Sequence, residues 1–122
     1  MNTLRLLVCG SRSWQDRGLI YVWLTHLQPR LVIHGAARGA DTLAGEVAKA
    51  LNIPVRVFPA DWLKWGRRAG PLRNQQMLDA GLPDKVIAFW DGESRGTLDM
   101  IKRAKADVEV IIVRPGEVPK AA

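Results

Sequence analysis

The chain has 122 residues, of which 48% are hydrophobic and 25% are charged. This length favours a single domain, and the composition excludes a disordered, a collagen-like and an acidic tail protein. The 18 lysines and arginines exceed the 12 aspartates and glutamates and give a net charge of +6, which favours an anionic partner such as a nucleotide, a phosphorylated metabolite or a nucleic acid.

The sequence also bears on where the protein works. No apolar run approaches the roughly 18–20 residues that a membrane span needs, so we expect no membrane association. The first residues, Met1 to Arg5, lack the basic start and apolar stretch of a secretory signal peptide. The chain has one cysteine, which cannot form an internal disulfide. Both features predict a cytoplasmic protein.

Short apolar runs alternate with amphipathic stretches along the chain. The apolar runs predict five strands, at residues 4–9, 31–33, 54–58, 85–89 and 108–113. Apolar residues at helical spacing predict four helices, at residues 19–27, 40–51, 71–81 and 97–106, and Pro71 suits the first position of the third. The stretch from Ala60 to Gly70 has no clear period, and the tail from Arg114 to Ala122 is expected to be loose.

Strands and helices that alternate in this way predict an α/β fold. We expect one domain with a parallel five-stranded sheet and helices on both faces. In such sheets the ligand lies beyond the carboxyl ends of the strands, near the point where the strand order reverses. The segments that follow the first four strands are therefore the candidates for function.

The segment after the first strand contains Gly10, Ser11 and Arg12. A glycine lets the backbone approach a ligand, and the serine and arginine can donate to phosphate oxygens. The alternative is a tight turn with a solvated arginine. Cys9, at the end of the strand, is expected to be a small buried thiol.

The segment after the second strand runs from His34 to Asp41 and leads directly into a helix. Its small residues leave backbone N–H groups free at the helix N-terminus, which predicts an anion site; the candidates are Gly35, Ala36, Ala37, Arg38 and Gly39. The spacing matches neither G-x-G-x-x-G nor the P-loop motif. Asp41 either complements the helix dipole or contacts a ribose hydroxyl, and we expect His34 to be a hydrogen-bonded structural residue.

Aromatic and basic residues alternate after the third strand, between Asp61 and Arg68. Trp62 and Trp65 either stack on a base, with neighbouring cations neutralising phosphate, or pack against the body of the protein. After the fourth strand, the run from Asp91 to Thr97 holds Gly92, Ser94 and Gly96 and opens the last helix. It predicts a second anion cradle on the same edge.

Two such cradles suit a ligand with a phosphate, or with a phosphate and a ribose. No cluster of histidine, cysteine or carboxylate residues has the spacing of metal ligands, so we expect neither a metal nor a cofactor. No nucleophile motif such as G-x-S-x-G is present either.

Four motifs together resemble the YspA, cpYpsA-related branch of the SLOG superfamily: Val8–Arg12, His34–Asp41, Asp61–Trp62 and Asp91–Thr97. The resemblance covers residues 4–113. It implies a Rossmann-like domain over residues 1–113, followed by the tail at residues 114–122, and a role in binding nucleotides or nucleotide-derived ligands.

Two related families imply competing functions. Arg73–Met77 and Gly96-Thr97 are similar to motifs of the LOG-type phosphoribohydrolases, which release a base from a nucleoside 5′-monophosphate. This resemblance implies catalytic roles for Arg73 and Asp99 if the chain is a hydrolase. Met100 stands at the position of the family's glutamate, and the adjacent Asp99 is turned by about 100° around the helix, which counts against hydrolysis.

The other related family is the DNA-processing protein A family, which binds single-stranded DNA. Its turn and loop motifs are similar to Gly10–Arg12 and His34–Asp41. The positive net charge is compatible with this partner. The chain lacks the segments that those proteins add around the sheet, so the function need not transfer.

From these observations we expect a sensor or binding module for a small phosphorylated nucleoside derivative, with a LOG-like hydrolase and a single-stranded nucleic-acid binder as the alternatives. Loop amides at residues 35–39 and 92–97 would hold the phosphate, with charge from Arg12, Arg38 or Arg73. An apolar helix face with Ile20, Trp23 and Leu27 predicts a homodimer. The candidate ligand contacts are Gly10, Ser11, Arg12, Gly35, Ala36, Arg38, Gly39, Asp41, Trp62, Arg73, Asp91, Gly92, Ser94, Gly96 and Thr97.

Overall fold

The computed structural model describes residues 3–120. Residues 1 and 2 of the predicted domain (residues 1–113) and residues 121 and 122 of the predicted tail (residues 114–122) lie outside the described residues. Its strands are β1 (Arg5–Gly10), β2 (Leu31–His34), β3 (Val55–Val57), β4 (Lys85–Phe89) and β5 (Glu109–Val113). Its helices are α1 (Arg17–Leu27), α2 (Ala40–Ala50), α3 (Trp62–Trp65), α4 (Ala69–Gly81) and α5 (Arg95–Ala104). Over this part of the chain, no helix has the length and apolar character needed to cross a bilayer.

The five strands form one sheet in the order β3-β2-β1-β4-β5, and every pair is parallel. The predicted α/β fold is therefore confirmed. The order reverses between β1 and β4, where Gly10 pairs with Phe89. This reversal opens a crevice at the carboxyl ends of the two central strands, and the loops that follow β1 and β4 flank it.

Helices cover both faces of the sheet. On one face, side chains of α1 and α2 pack on the sheet, with Ile20 and Leu24 of α1 fully buried. On the other face, Met77 of α4 and Met100 of α5 pack against residues such as Leu7. Because both faces are covered, the central strands β1 and β4 carry no charged side chain after their first residues, Arg5 and Lys85, as parallel strands in this class of fold require.

The stretch predicted to lack a clear period contains a regular element. Asp61 caps α3, and its Oδ1 accepts a hydrogen bond from Lys64 N at 3.1 Å. A 3₁₀ turn at Gly66–Arg68 then leads into α4, so the helix begins at Ala69 and Pro71 is its third residue rather than its first. A helix of four residues is too short to show a 3.6-residue period, which explains why the pattern missed it.

The α1 face that predicted the homodimer is used inside the protein. Ile20 is fully buried, and Trp23 and Leu27 pack partly buried against the same core. Trp23 Nε1 also donates to the Glu117 carbonyl at 2.7 Å, within a turn that begins at Arg114. The chain itself therefore covers much of this face, and the homodimer stays a prediction.

We predict that Gly10→Ala lowers the free energy of unfolding by about 1–3 kcal/mol through overpacking. A Cβ at this position would lie 2.4 Å from the Phe89 carbonyl oxygen and 2.6 Å from Ala40 Cβ. Urea denaturation measures the effect. In the control Gly18→Ala, the new Cβ has an ordinary contact at 3.5 Å with Asp16 Oδ1, and stability should be unchanged or slightly higher. Equal midpoints for Gly10→Ala and the wild type would contradict the close packing.

Candidate functional site

Two cavities open at the carboxyl ends of the strands. The first, which we name the α5 cavity, has a volume of about 440 Å³ and is lined by Cys9, Gly10, Arg12, Ala37, Asp41, Trp62, Gly70, Pro71, Arg73, Asn74, Met77, Ser94, Arg95, Gly96, Thr97 and Asp99. The second, the β2-loop cavity, has a volume of about 430 Å³ and is lined by Arg12, Gly35, Ala36, Ala37, Arg38, Pro59, Ala60, Trp62 and Arg73. Both volumes lie in the range of small-molecule sites.

Most of the candidate ligand contacts line one cavity or the other. Those on the α5 cavity are Gly10, Arg12, Asp41, Trp62, Arg73, Ser94, Gly96 and Thr97. Gly35, Ala36 and Arg38 line the β2-loop cavity. The structure thus brings the loops after β1, β2 and β4 together on one edge. Four candidates line neither cavity: Ser11, Gly39, Asp91 and Gly92.

Ser11 joins the loops to each other and does not face a ligand site. It is fully buried, and its Oγ accepts a hydrogen bond from Asp91 N at 2.9 Å. Its backbone carbonyl accepts from Trp14 N and Ala40 N. The Ser11 hydroxyl therefore belongs to the contact between the loops after β1 and β4, and its role as a phosphate donor stays a prediction.

Gly39 is also structural. Its φ is +74°, and a Cβ there would lie 2.3 Å from the Ser11 carbonyl oxygen. Only a residue without a side chain fits this close approach in the left-handed region. The position shapes the turn into α2 and allows the loops after β1 and β2 to touch.

The loop between β2 and α2 uses most of its own amide groups. Asp41 Oδ2 accepts from Gly35 N at 3.1 Å and from Ala37 N at 3.3 Å, and His34 Nδ1 accepts from Ala36 N at 3.0 Å. The sequence predicted a cradle of free amides at residues 35–39. That prediction is wrong for the N–H groups of Gly35, Ala36 and Ala37, because each of them donates to a side chain of the protein. Asp41 therefore closes the loop before its own helix, and His34 has the structural role expected of it.

The loop between β4 and α5 is capped in the same way. Asp91 Oδ1 accepts from Glu93 N at 2.8 Å and from Ser94 N at 2.9 Å, and these backbone hydrogen bonds lower the pKa of Asp91 to about 2. Ser94 caps α5 through Thr97 N. In residues 3–120, the N–H groups of Arg95 and Gly96 have no acceptor, and both residues line the α5 cavity.

Arg73 of α4 is held at the boundary of the two cavities. Its Nη1 donates to the Gly35 carbonyl at 2.5 Å, and its Nε donates to Asn74 Oδ1 at 3.1 Å. A Cβ on Gly35 would lie 2.4 Å from Arg73 Nη1, so a side chain at position 35 would displace the guanidinium from its present position. Burial lowers the pKa of Arg73, and the charge of Arg12 lowers it further, while Asp41 opposes both. The guanidinium is thus partly desolvated and oriented by the protein.

Asn74 is a site residue that the sequence reasoning did not single out. Its side chain is buried, and its Nδ2 donates to Asp99 Oδ2 at 3.0 Å and to the Gly96 carbonyl at 3.2 Å. Asp99 Oδ2 also accepts from Arg103 Nε at 2.8 Å. Asn74 therefore links Arg73 to Asp99. Its helical spacing is the sequence signal that could have identified it. Asn74 lies four residues after Gly70 and three residues before Met77, and both of these are buried in the same helix.

Of the two tryptophans after β3, Trp62 is the one that lines the cavities. Its side chain is 48% exposed, and the Arg12 guanidinium lies 5.6 Å from the centre of its ring. Trp65 lines neither cavity and is flanked by Lys64 and Arg68 at 5.0 and 5.6 Å. The Arg12–Trp62 pair contributes a cation and an aromatic surface to the walls of both cavities.

Comparisons with known proteins agree with the predicted family. Residues 4–65 match the model of the YspA, cpYpsA-related SLOG family. The chain is 39% identical over 118 residues to the Gene 61 protein of Mycobacterium phage D29. The alignment covers 88% of this chain and 94% of the phage protein. The predicted relationship is therefore confirmed.

A solved structure shares the fold. The X-ray structure of DNA processing protein A (DprA) from Streptococcus pneumoniae is similar with a TM-score of 0.69 and 21% sequence identity. The similarity covers 94% of this chain but 51% of the other, so the chain spans about half the length of that protein. At this identity the comparison shows the fold alone.

We predict that Asp41 makes the protein less stable as the pH rises from about 4 to 6. Burial raises its pKa from 3.8 to about 6, so the unfolded chain loses the proton first, the folded state keeps it, and the free energy of unfolding falls across that window. Each tenfold difference in proton affinity corresponds to about 1.4 kcal/mol, which gives a loss on the order of 3 kcal/mol.

Denaturation at a series of pH values measures this loss. In Asp41→Asn, whose amide oxygen can still accept from the Gly35 and Ala37 N–H groups, the slope between pH 4 and 6 should be absent or shallower. The control Asp107→Asn, at an exposed position, should keep the wild-type slope. A wild-type slope in Asp41→Asn would show that another group causes the pH dependence.

Proposed function

The chain belongs to the YspA, cpYpsA-related SLOG family, and we propose that it binds a small phosphorylated nucleoside derivative in the α5 cavity. The observation that carries this proposal is the positive charge at the cavity wall. Arg12 and Arg73 both line it, and no ion pair within residues 3–120 includes either one. A phosphate group could form charge-assisted hydrogen bonds with both guanidinium groups.

Arg73 is suited to this role because its position is fixed before a ligand arrives. The Gly35 carbonyl and Asn74 hold two of its nitrogens, and among residues 3–120 no acceptor binds the remaining N–H donors. Orientation by the protein reduces the entropy lost on binding. Partial burial also strengthens the attraction between the guanidinium and an anion, since less water screens it.

Other groups on the cavity wall fit the rest of a nucleotide. The unbonded N–H groups of Arg95 and Gly96 lie at the start of α5, where the helix dipole favours an anion. Trp62 offers a half-exposed ring for stacking on a base. Asp99 can accept hydrogen bonds from sugar hydroxyl groups.

We predict that nucleoside 5′-monophosphates at millimolar concentration raise the melting temperature of the wild type, by mass action. Arg73→Ala should weaken binding by about 10- to 100-fold, because a charge-assisted hydrogen bond contributes about 1.5–3 kcal/mol. Titration calorimetry measures the affinity. Arg30→Ala, an exposed arginine that precedes β2 at the opposite edge of the sheet, is the matched control and should bind as the wild type does.

Two results would contradict the proposal. One is equal affinity in Arg73→Ala and Arg30→Ala. The other is binding of single-stranded DNA in preference to mononucleotides, with an affinity that falls steeply as salt increases, since several phosphates would then displace counterions.

The position of Asp99 favours a second candidate function, a phosphoribohydrolase. Asp99 lines the α5 cavity with Arg73, and only its Oδ2 is bonded, to Asn74 and Arg103. Among residues 3–120, Asp99 Oδ1 has no hydrogen-bond partner and is available to a ligand. A carboxylate there could stabilise positive charge that develops on a ribose when the bond to the base breaks.

If the chain hydrolyses nucleotides, incubation with nucleoside 5′-monophosphates should release free base, measured by chromatography. We predict that Asp99→Asn then lowers the rate by about 100-fold or more, as the loss of one electrostatic contact to a transition state does. Asp107→Asn, at an exposed carboxylate outside both cavities, should retain full activity. Binding without release of base would limit the function to that of a binding module.

A further inference from the structure

We propose, resting on the binding function above, that the ligand is a nucleoside diphosphate that carries a second sugar group, with the diphosphate at the boundary of the two cavities. The nucleoside would occupy the α5 cavity, and the second sugar would occupy the β2-loop cavity. The two cavities meet at a boundary that is lined by Arg12 and Arg73, so positive charge lies between them.

The two cavities adjoin each other along a shared wall. Arg12, Ala37, Trp62 and Arg73 line both of them. The volumes are nearly equal, about 440 and 430 Å³. A nucleoside monophosphate that fills the α5 cavity would leave the other cavity to water. A ligand with two bulky groups uses both.

The positive charge lies on the shared wall. Arg12 and Arg73 are the two charged residues that line both cavities. Their guanidinium groups are close enough that the charge of Arg12 lowers the pKa of Arg73. Asp41 is the carboxylate within electrostatic reach of both arginines, but no ion pair in residues 3–120 includes either one. Two neighbouring cations of this kind favour an anion of more than one charge, and a diphosphate linker places two charges there.

The walls of the β2-loop cavity suit a sugar ring. Pro59 and Ala60 give an apolar surface on which the face of a sugar can pack. Arg38 lines the same cavity and is exposed. Its guanidinium can donate to ring and hydroxyl oxygens. This cavity has no carboxylate, whereas the α5 cavity has Asp41 and Asp99.

Ala60 allows the two cavities to be tested separately, because it lines the β2-loop cavity alone. The replacement Ala60→Phe places a bulky ring in that cavity and leaves the walls of the α5 cavity unchanged. Ala106→Phe adds the same ring at an exposed site between α5 and β5 and serves as the matched control.

The probes are AMP, ADP and ADP-glucose, each titrated by calorimetry into the wild type and the two variants. For the wild type we expect ADP-glucose to bind about tenfold or more tightly than ADP, which corresponds to filling a second cavity. In Ala60→Phe, the affinity for ADP-glucose should fall to that for ADP, with AMP unchanged. Ala106→Phe should match the wild type for all three.

The proposal is overturned if ADP-glucose binds no more tightly than ADP, or if Ala60→Phe weakens AMP and ADP-glucose equally. In both cases AMP still binds, so the proposed function survives and only the two-cavity ligand is rejected. Failure of every probe to bind the folded wild type would instead reject the proposed function itself, and this inference with it. Repeating the series with UMP, UDP and UDP-glucose tests whether the result depends on the base.

Discussion

The site depends on one contact, the hydrogen bond from Arg73 to the carbonyl of Gly35. It joins α4, on one side of the crevice, to the loop after β2, on the other. A partly buried guanidinium needs acceptors to offset lost hydration, and Gly35 and Asn74 supply them. The absence of a side chain at residue 35 leaves room for this contact, since a Cβ there would displace the guanidinium. The cation that defines both cavities is therefore fixed by a glycine on a different element.

In the loops after β2 and β4, most backbone N–H groups donate to acceptors within the same loop. Asp41 and Asp91 each accept two amide hydrogen bonds within their loops, and both carboxylates are thereby committed to loop shape. In a Gly-rich phosphate loop those amides would face the ligand. Here the donors left for an anion are mainly the guanidinium groups of Arg12 and Arg73. This exchange explains why a glycine-bearing loop at a helix start need not be a phosphate cradle.

Sequence reasoning predicted the fold because it depends on patterns that are local in the chain. Apolar runs and helical spacing located every strand and the four longer helices. Their alternation predicted that the site lies at the carboxyl edge of the sheet, but the position of the crevice between β1 and β4 needed the strand order of the structure. It could not predict how the loop groups pair across the crevice. Ser11 and Arg12 are neighbours with the same capacity to donate, yet one is buried against Asp91 N and the other lines both cavities. That difference arises from contacts about 80 residues apart in the chain.

The two neighbouring positions 99 and 100 in α5 show how helix geometry limits what can be carried over from a motif. Met100 is fully buried among the side chains that pack on the sheet, whereas Asp99 lines the α5 cavity. A glutamate placed at position 100 of this helix would point into an apolar core and would need a cationic partner there. The carboxylate that reaches the cavity is instead the one at 99, and Asn74 and Arg103 hold it in place. The geometry of α5 therefore places a carboxylate at the cavity even though position 100 holds a buried methionine.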